Sequence, residues 1–230
     1  MINNITKGDL MFLINAIYFN GAWQNAFKPS NTHEDIFHLA NGGQVTVPFM
    51  EQVVAAKIKA DSPFTLIELP YGGGNSYSMY IALPTDPQQG IENFAALMNE
   101  QSLTAAIGNM HSAEIGLQIP KWEYAYSIDD MRPELSALGM GIVFGDKSNL
   151  SRIYAPGADT IYVSRAIHKT YIKVSEAGTQ AAAATVVGIA ETAVPAIRIY
   201  AMNRPFYYTI IEKQTGAVVF AGIVNDPSAH

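Results

Sequence analysis

From Glu176 to Thr185 the chain reads Glu-Ala-Gly-Thr-Gln-Ala-Ala-Ala-Ala-Thr, and past Glu176 this tract holds only small or uncharged side chains. It holds no histidine or cysteine, and no charge appears from Thr179 to Ala190. Four alanines would suit a helix. The β-branched Thr185, Val186 and Val187 and then Gly188 follow at once, against a long helix. A surface loop of about 20 residues should be polar and rich in turn formers, and loops beyond about 12–15 residues are uncommon unless functional or disordered. As a strand the tract is coherent, because alternate residues share a face. Thr179, Ala181, Ala183, Thr185, Val187 and Ile189 would line one face; Gln180, Ala182, Ala184, Val186 and Gly188 would line the other. Such a segment could slide between two existing strands without burying bulk or charge. Gly178, free in φ and ψ, stands where it would turn out and later straighten. A flexible linker, or a short helix with a turn, is the competing reading.

Other side-chain chemistry is sparse. His33, His38, His111, His168 and His230 show no helix-ligand spacing and no accompanying carboxylate cluster, so no metal site is expected. Gly72 to Gly74 reads as a turn, not a phosphate loop, and no nucleophile-elbow pattern places a serine. No enzyme activity and no cofactor are expected. The absence of cysteine excludes disulfides and thiolate chemistry. The net charge of −6 argues against a nucleic-acid partner. No run approaches 18 apolar residues, so no membrane helix is expected, and no signal peptide is read at Met1. Asn15 and His168 sit inside apolar strands and read, from the residues alone, as locally satisfied core residues. Trp23, Lys121 and Glu176 read as a core tryptophan and two surface charges, or with Glu176 and Lys121 paired across neighbouring strands.

The elements that must position these residues are mostly strands. Leu10 to Phe19, apolar at nearly every position, suits a strand covered on both faces. Gln44 to Lys59 alternates, with Pro48 implying a bent or edge strand. Phe64–Tyr71 and Tyr77–Leu83 flank Gly72-Gly73-Gly74-Asn75 as a hairpin. Ile91, Phe94, Met98, Leu103 and Ile107 fit one or two amphipathic helices. Ala113 to Ile128 reads as one strand, followed by a short helix with a Met131, Leu135 and Leu138 stripe that ends at Gly139. Thr160 to Ser175 is a long strand, and Phe206–Lys213 with Ala217–Val224 form a closing hairpin. Several strands want cover on both faces and few helices exist to provide it. The chain is therefore expected to be incomplete.

Four motifs in order carry a resemblance to the serpin family, including its bacterial members. They are Asn15-Ala16-Ile17-Tyr18-Phe19-Asn20-Gly21-Ala22-Trp23, Ala166-Ile167-His168-Lys169, Glu176-Ala177-Gly178-Thr179 with its alanines, and Asn203-Arg204-Pro205-Phe206 with Gly222-Ile223-Val224-Asn225-Asp226-Pro227. The resemblance covers about Ile5 to Pro227. It implies an α+β fold of mostly antiparallel sheets with few helices, a single partial domain over 1–230 matching the family's C-terminal part, and an absent, mostly helical N-terminal half as a partner. It implies a reactive loop at about 176–196 with a hinge of Glu176, Gly178, Thr179, Gln180, Ala181, Ala182, Ala183 and Ala184. Trp23 and Lys121 would mark the top of the main sheet, and Asn15 and His168 a hydrogen-bond cluster where that sheet opens. The family's customary count from Gly178 reaches Thr192, so the scissile bond would be Thr192–Ala193. That suits an elastase-like or subtilisin-like serine protease, with a cysteine protease as a further candidate. The chain itself does not fix a compartment; the resemblance suggests an extracellular or periplasmic one. The implied activity is suicide-substrate inhibition: cleavage, then insertion of the loop into the main sheet. The strand-addition and stored-strain mechanism of serpins is a general example, not one peculiar to this chain. The alternative is a non-inhibitory or truncated remnant acting as a binding or structural module. Gln180 departs from the glutamate that many members carry.

Overall fold

The computed structural model describes residues 11–74, 76–150, 152–153, 161–179 and 197–229. Its strands are β1 (Met11–Tyr18), β2 (Gly21–Ala22), β3 (His33–His38), β4 (Gln44–Asp61), β5 (Phe64–Tyr71), β6 (Tyr77–Pro84), β7 (His111–Pro120), β8 (Trp122–Ile128), β9 (Val163–Ser175), β10 (Gly178–Thr179), β11 (Ile199–Ala201), β12 (Phe206–Glu212) and β13 (Val218–Val224). The α-helices are α1 (Ile91–Leu97), α2 (Glu100–Gly108) and α3 (Arg132–Leu135). This is the mostly antiparallel α+β architecture expected. The residues fall into two compact units, Met1–Tyr18 with Tyr124–Tyr171, and Phe19–Glu123 with Ile172–His230.

In the larger unit the sheet runs β11-β7-β4-β5-β6-β12-β13, with β3 also on β4. The 18-residue β4 is its spine, pairing in turn with β3, β7 and β5. Pro48 stands within it, and its carbonyl accepts from Lys121 N at 2.9 Å. Helices α1 and α2 lay their apolar stripes on the sheet: Ile91, Phe94, Met98, Leu103 and Ala106 pack with Phe64, Leu66, Tyr80, Ala82 and Ile211. The Asn99 side chain accepts from Ser102 N at 3.0 Å and caps α2. The single strand expected from Ala113 to Ile128 is two. It breaks at Lys121, after Pro120 ends the ladder of β7 with β4.

In the smaller unit β1 and the first part of β9 form a parallel pair, from Phe12 opposite Arg165 to Tyr18 opposite Tyr171. Asn15 stands directly opposite His168. The Tyr18 and Tyr171 rings stack at 6.1 Å. The expected cover on both faces of β1 is not found among the described residues. They give β1 one strand neighbour, β9, and leave Leu13, Ile14 and Tyr18 exposed. The expected stripe also fails. The helix α3 has only four residues, Leu138 is 80% exposed, and Gly139 adopts φ +95° inside the turns that follow. That left-handed residue reorients the backbone before a second apolar turn can stack on the first.

Candidate functional site

Strand β5 runs out of the core at Tyr71, and the segment after β2 lies along its end. Gln24 N donates to Pro70 O at 2.8 Å, Gly72 N donates to Ala22 O at 2.8 Å, and Trp23 bridges Tyr71. The two rings stack, centroids 4.5 Å apart and 15° from parallel, and the Phe19 ring meets Tyr71 edge-on at 4.8 Å. Both Trp23 and Tyr71 are buried. Burial pushes the Tyr71 hydroxyl well above its ordinary pKa, so it stays protonated.

This platform receives the turn that follows β9. Trp23 Nε1 donates to Ser175 O at 2.9 Å, Phe27 N to Glu176 O at 2.9 Å, and Trp23 N to Ala177 O at 3.0 Å. Three successive carbonyls are thus fixed by one short segment. Gly178 and Thr179 then form β10, antiparallel to Ser175 and Val174 on one side and to Ala22 and Gly21 on the other. Gly178 has φ +141°, and a Cβ there would stand 2.2 Å from Gly21 O and 2.7 Å from Ala22 Cα. Only glycine fits. Thr179 is fully buried, and its hydroxyl meets the Tyr71 hydroxyl at 2.7 Å.

The Glu176 carboxylate ties the turn to two further elements. Thr32 Oγ1 donates to it at 2.9 Å, and Lys121 Nζ lies 3.1 Å from Oε2 and 3.2 Å from Oε1. Burial pushes this carboxyl up. Its own backbone amide, the Thr32 hydroxyl and the Lys121 ammonium outweigh burial, so the pKa falls below the ordinary 4.5. Because the folded value is depressed, the pair's contribution is complete above pH 4.5 and is lost as pH falls below it. The lysine is partly exposed, so Lys121→Met or Glu176→Gln should cost no more than about 1 kcal/mol. Urea midpoints at low and high salt check this, and the difference from wild type should shrink at high salt.

Of the residues singled out from sequence, Trp23, Lys121, Glu176, Gly178 and Thr179 come together here. Asn15 and His168 face each other in the smaller unit, where Asn15 is exposed and His168 Nδ1 is buried without a hydrogen-bond partner. Gln180, Ala181, Ala182, Ala183, Ala184, Thr192 and Ala193 lie outside the described residues. Tyr71 and Thr32 were missed. They are 108 and 144 positions from their partners, and neither carries a local signal. Among the described residues no group of three or more His, Cys, Asp or Glu could hold a metal ion, and no helix is long and apolar enough to cross a membrane. The arrangement offers a clamped strand end and a template of main-chain hydrogen bonds.

Known proteins resemble this chain in sequence and in fold. Serpin-ZX of Hordeum vulgare is 33% identical over 228 residues, spanning 94% of this chain and 56% of that protein. Plasminogen activator inhibitor 1 of Sus scrofa is 33% identical over 226 residues, spanning 94% and 54%. The native-state crystal structure of the thermophilic serpin tengpin superposes with a TM-score of 0.86 at 31% identity, covering 98% of this chain and 58% of that one. The chain thus spans little more than half the length of the relatives it matches. The model of the family described as serpin (serine protease inhibitor) matches residues 1–227, and the chain belongs to the serpin family.

Proposed function

We propose that the chain carries the reactive half of a serine protease inhibitor, a suicide substrate whose cut loop becomes a new strand of the main sheet. The observation that carries this reading is the seating of Gly178 and Thr179 between two antiparallel neighbours. Thr179 faces Val174 on one side and Gly21 on the other. Continued residue by residue, the first register sets Thr185 opposite His168, and the second sets it opposite Asn15. Those two residues are already each other's partners in the β1–β9 pair. Both registers therefore extrapolate to that same pair, which supports reading the tract after β10 as a strand in register with β9. One parallel ladder would be replaced by two antiparallel ones, each added bond contributing about 0.5–1.5 kcal/mol net. The small uncharged residues from Gln180 to Ile189 suit such a strand.

The chemical step belongs to the protease. Its serine oxygen attacks the Thr192 carbonyl carbon, the bond to the Ala193 nitrogen breaks, and Thr192 is left as an acyl ester on the enzyme. Insertion of about 14 residues at roughly 3.3 Å each would carry that ester on the order of 45 Å before water releases it. An elastase-like or subtilisin-like protease fits the small residues at the bond, and the family resemblance suggests an extracellular or periplasmic setting. Mixing the chain with such proteases should give an SDS-stable adduct with the mass of the protease plus residues 1–192, and residues 193–230 released as a separate fragment. Ala181→Arg, which puts a charge into that strand, should cut adduct yield at least tenfold and release cleaved chain. A folded wild-type chain that is cut at the loop without any adduct would overturn the reading.

A second reading has its own support. Within the smaller unit Val163 and Ala166 are the only buried apolar residues among those described, while Leu13, Ile14, Tyr18, Tyr126, Leu138, Met140, Ile142 and Ile153 are exposed. This fits a part that works with a further polypeptide, such as the family's N-terminal half, or a non-inhibitory remnant. Size-exclusion chromatography separates the two, since a discrete monomer supports a working unit and large assemblies support a remnant.

A further inference from the structure

His33 takes no part in the mechanism above. Strand β3 begins with His33 opposite Phe49 of β4. Glu51, two residues further along β4, therefore lies at the diagonal on the same face, within reach of a long side chain. His33 Nδ1 stands 3.9 Å from Glu51 Oε2 and 3.4 Å from the main-chain oxygen of Asn31. Both separations exceed an ordinary N–H···O hydrogen bond, about 2.7–3.2 Å. With its proton on Nε2, the imidazole presents a lone pair at Nδ1. A ring nitrogen, a carboxylate oxygen and a carbonyl oxygen then face one gap that none of them closes. The gap opens into a cleft of about 310 Å³ lined by Ser30, Asn31, His33, Glu51, Gln52 and Val53, with room for the water of a hydrated ion.

We infer that His33, Glu51 and the Asn31 carbonyl form a site for a divalent transition-metal ion of the zinc type, with water completing the coordination. Two donors bound to one such ion at about 2.0–2.2 Å stand no more than about 4.4 Å apart, and about 3.4 Å apart at the tetrahedral angle. Both observed separations fall within that limit, and the 3.4 Å from Nδ1 to the Asn31 oxygen matches the tetrahedral value. An imidazole beside a carboxylate selects zinc-like ions over magnesium and calcium, which prefer shells of oxygen alone. Two side chains are fewer than a structural zinc site uses, so the ion binds reversibly to a chain already folded. It clamps the turn at Pro29–Asn31 and the start of β3 to β4. Because its side-chain ligands come from two strands, no local spacing announces it. The site does not depend on the inhibitory reading.

Titrating the full chain with zinc chloride, read by calorimetry and by NMR of the histidine ring protons, tests the site. Wild type should bind one ion saturably, with the His33 resonances shifting first. His33→Gln and Glu51→Gln change partly exposed side chains and should fold. Each should weaken binding at least about tenfold. His38→Gln, at the far end of β3, and His111→Gln, at the start of β7, should bind as wild type does. Saturating zinc should raise the unfolding midpoint of wild type and leave that of Glu51→Gln unchanged. Equimolar magnesium chloride should displace none of the zinc. An absence of saturable binding, binding that survives both the His33 and Glu51 substitutions, or displacement by magnesium would each overturn the site.

Discussion

Gly178→Ala will drive β10 out of its sheet. At φ +141° a side chain meets backbone strain of about 1–3 kcal/mol. The added carbon also meets Gly21 O at 2.2 Å and Trp23 N at 2.8 Å, main-chain atoms that no rotamer change can clear. Together these should exceed about 3 kcal/mol if the fold stays intact. The cheaper response is local: residues 178 and 179 leave, and Ser175 O and Ala177 O lose their register with Trp23. Lost exchange protection at both residues and a shifted Trp23 emission should therefore accompany a smaller global change. Gly216→Ala is the control. Its φ is +76° but nothing lies within 4 Å, so the cost should stay at about 1–2 kcal/mol with no effect on β10.

The second large effect lies in the sheet core. Glu68 on β5 is 3% exposed, yet it is ionised. Burial pushes its carboxyl up. Hydrogen bonds from Lys213 Nζ at 2.6 Å and Ser78 Oγ at 2.7 Å, with the charges of Lys213 and Lys57, bring it below the ordinary 4.5. The Tyr80 hydroxyl beside it is pushed up by burial and by the same carboxylate, and stays protonated. Lys213 sits in the turn between β12 and β13, where its amide donates to Ser76 O, so the pair joins two hairpins. Lys213→Met strands a buried charge and should cost about 3–5 kcal/mol at neutral pH. In wild type the depressed pKa means that the stabilisation holds above pH 4.5 and drains away below it. In the variant burial is far less opposed, the carboxyl takes up a proton at higher pH, and the deficit should narrow on acidification. Guanidinium unfolding of both chains across that range checks the sign. Adding Glu68→Gln to Lys213→Met should recover part of the loss.

What could be read in advance follows a physical division. Alternation and turn residues are local, so the hairpin at Gly72–Gly74 and the helical stripe of Ile91, Phe94 and Leu103 were legible. The unusual backbone at Gly178 was legible too, because the residues around it call for a turn that only glycine takes easily. Pairings across the fold were not. Nothing near Tyr71 distinguishes it from Tyr77, and nothing near Thr32 announces a hydrogen bond to Glu176. Apolar β1 finds only part of its expected cover among the described residues, because residue type reports what a strand can bury and not which neighbour buries it. Lys121 was read as a strand interior, since sequence shows no ladder ending at Pro120.

The added strand itself is most directly seen by hydrogen exchange over Gln180–Ile189, before and after a protease cuts the folded chain near Thr192. The account predicts exchange near solvent rates beforehand and slowing of at least a hundredfold afterwards, with Thr185 among the slowed amides. Exchange that stays fast after the cut, or that is already slow in the uncut chain, would contradict it.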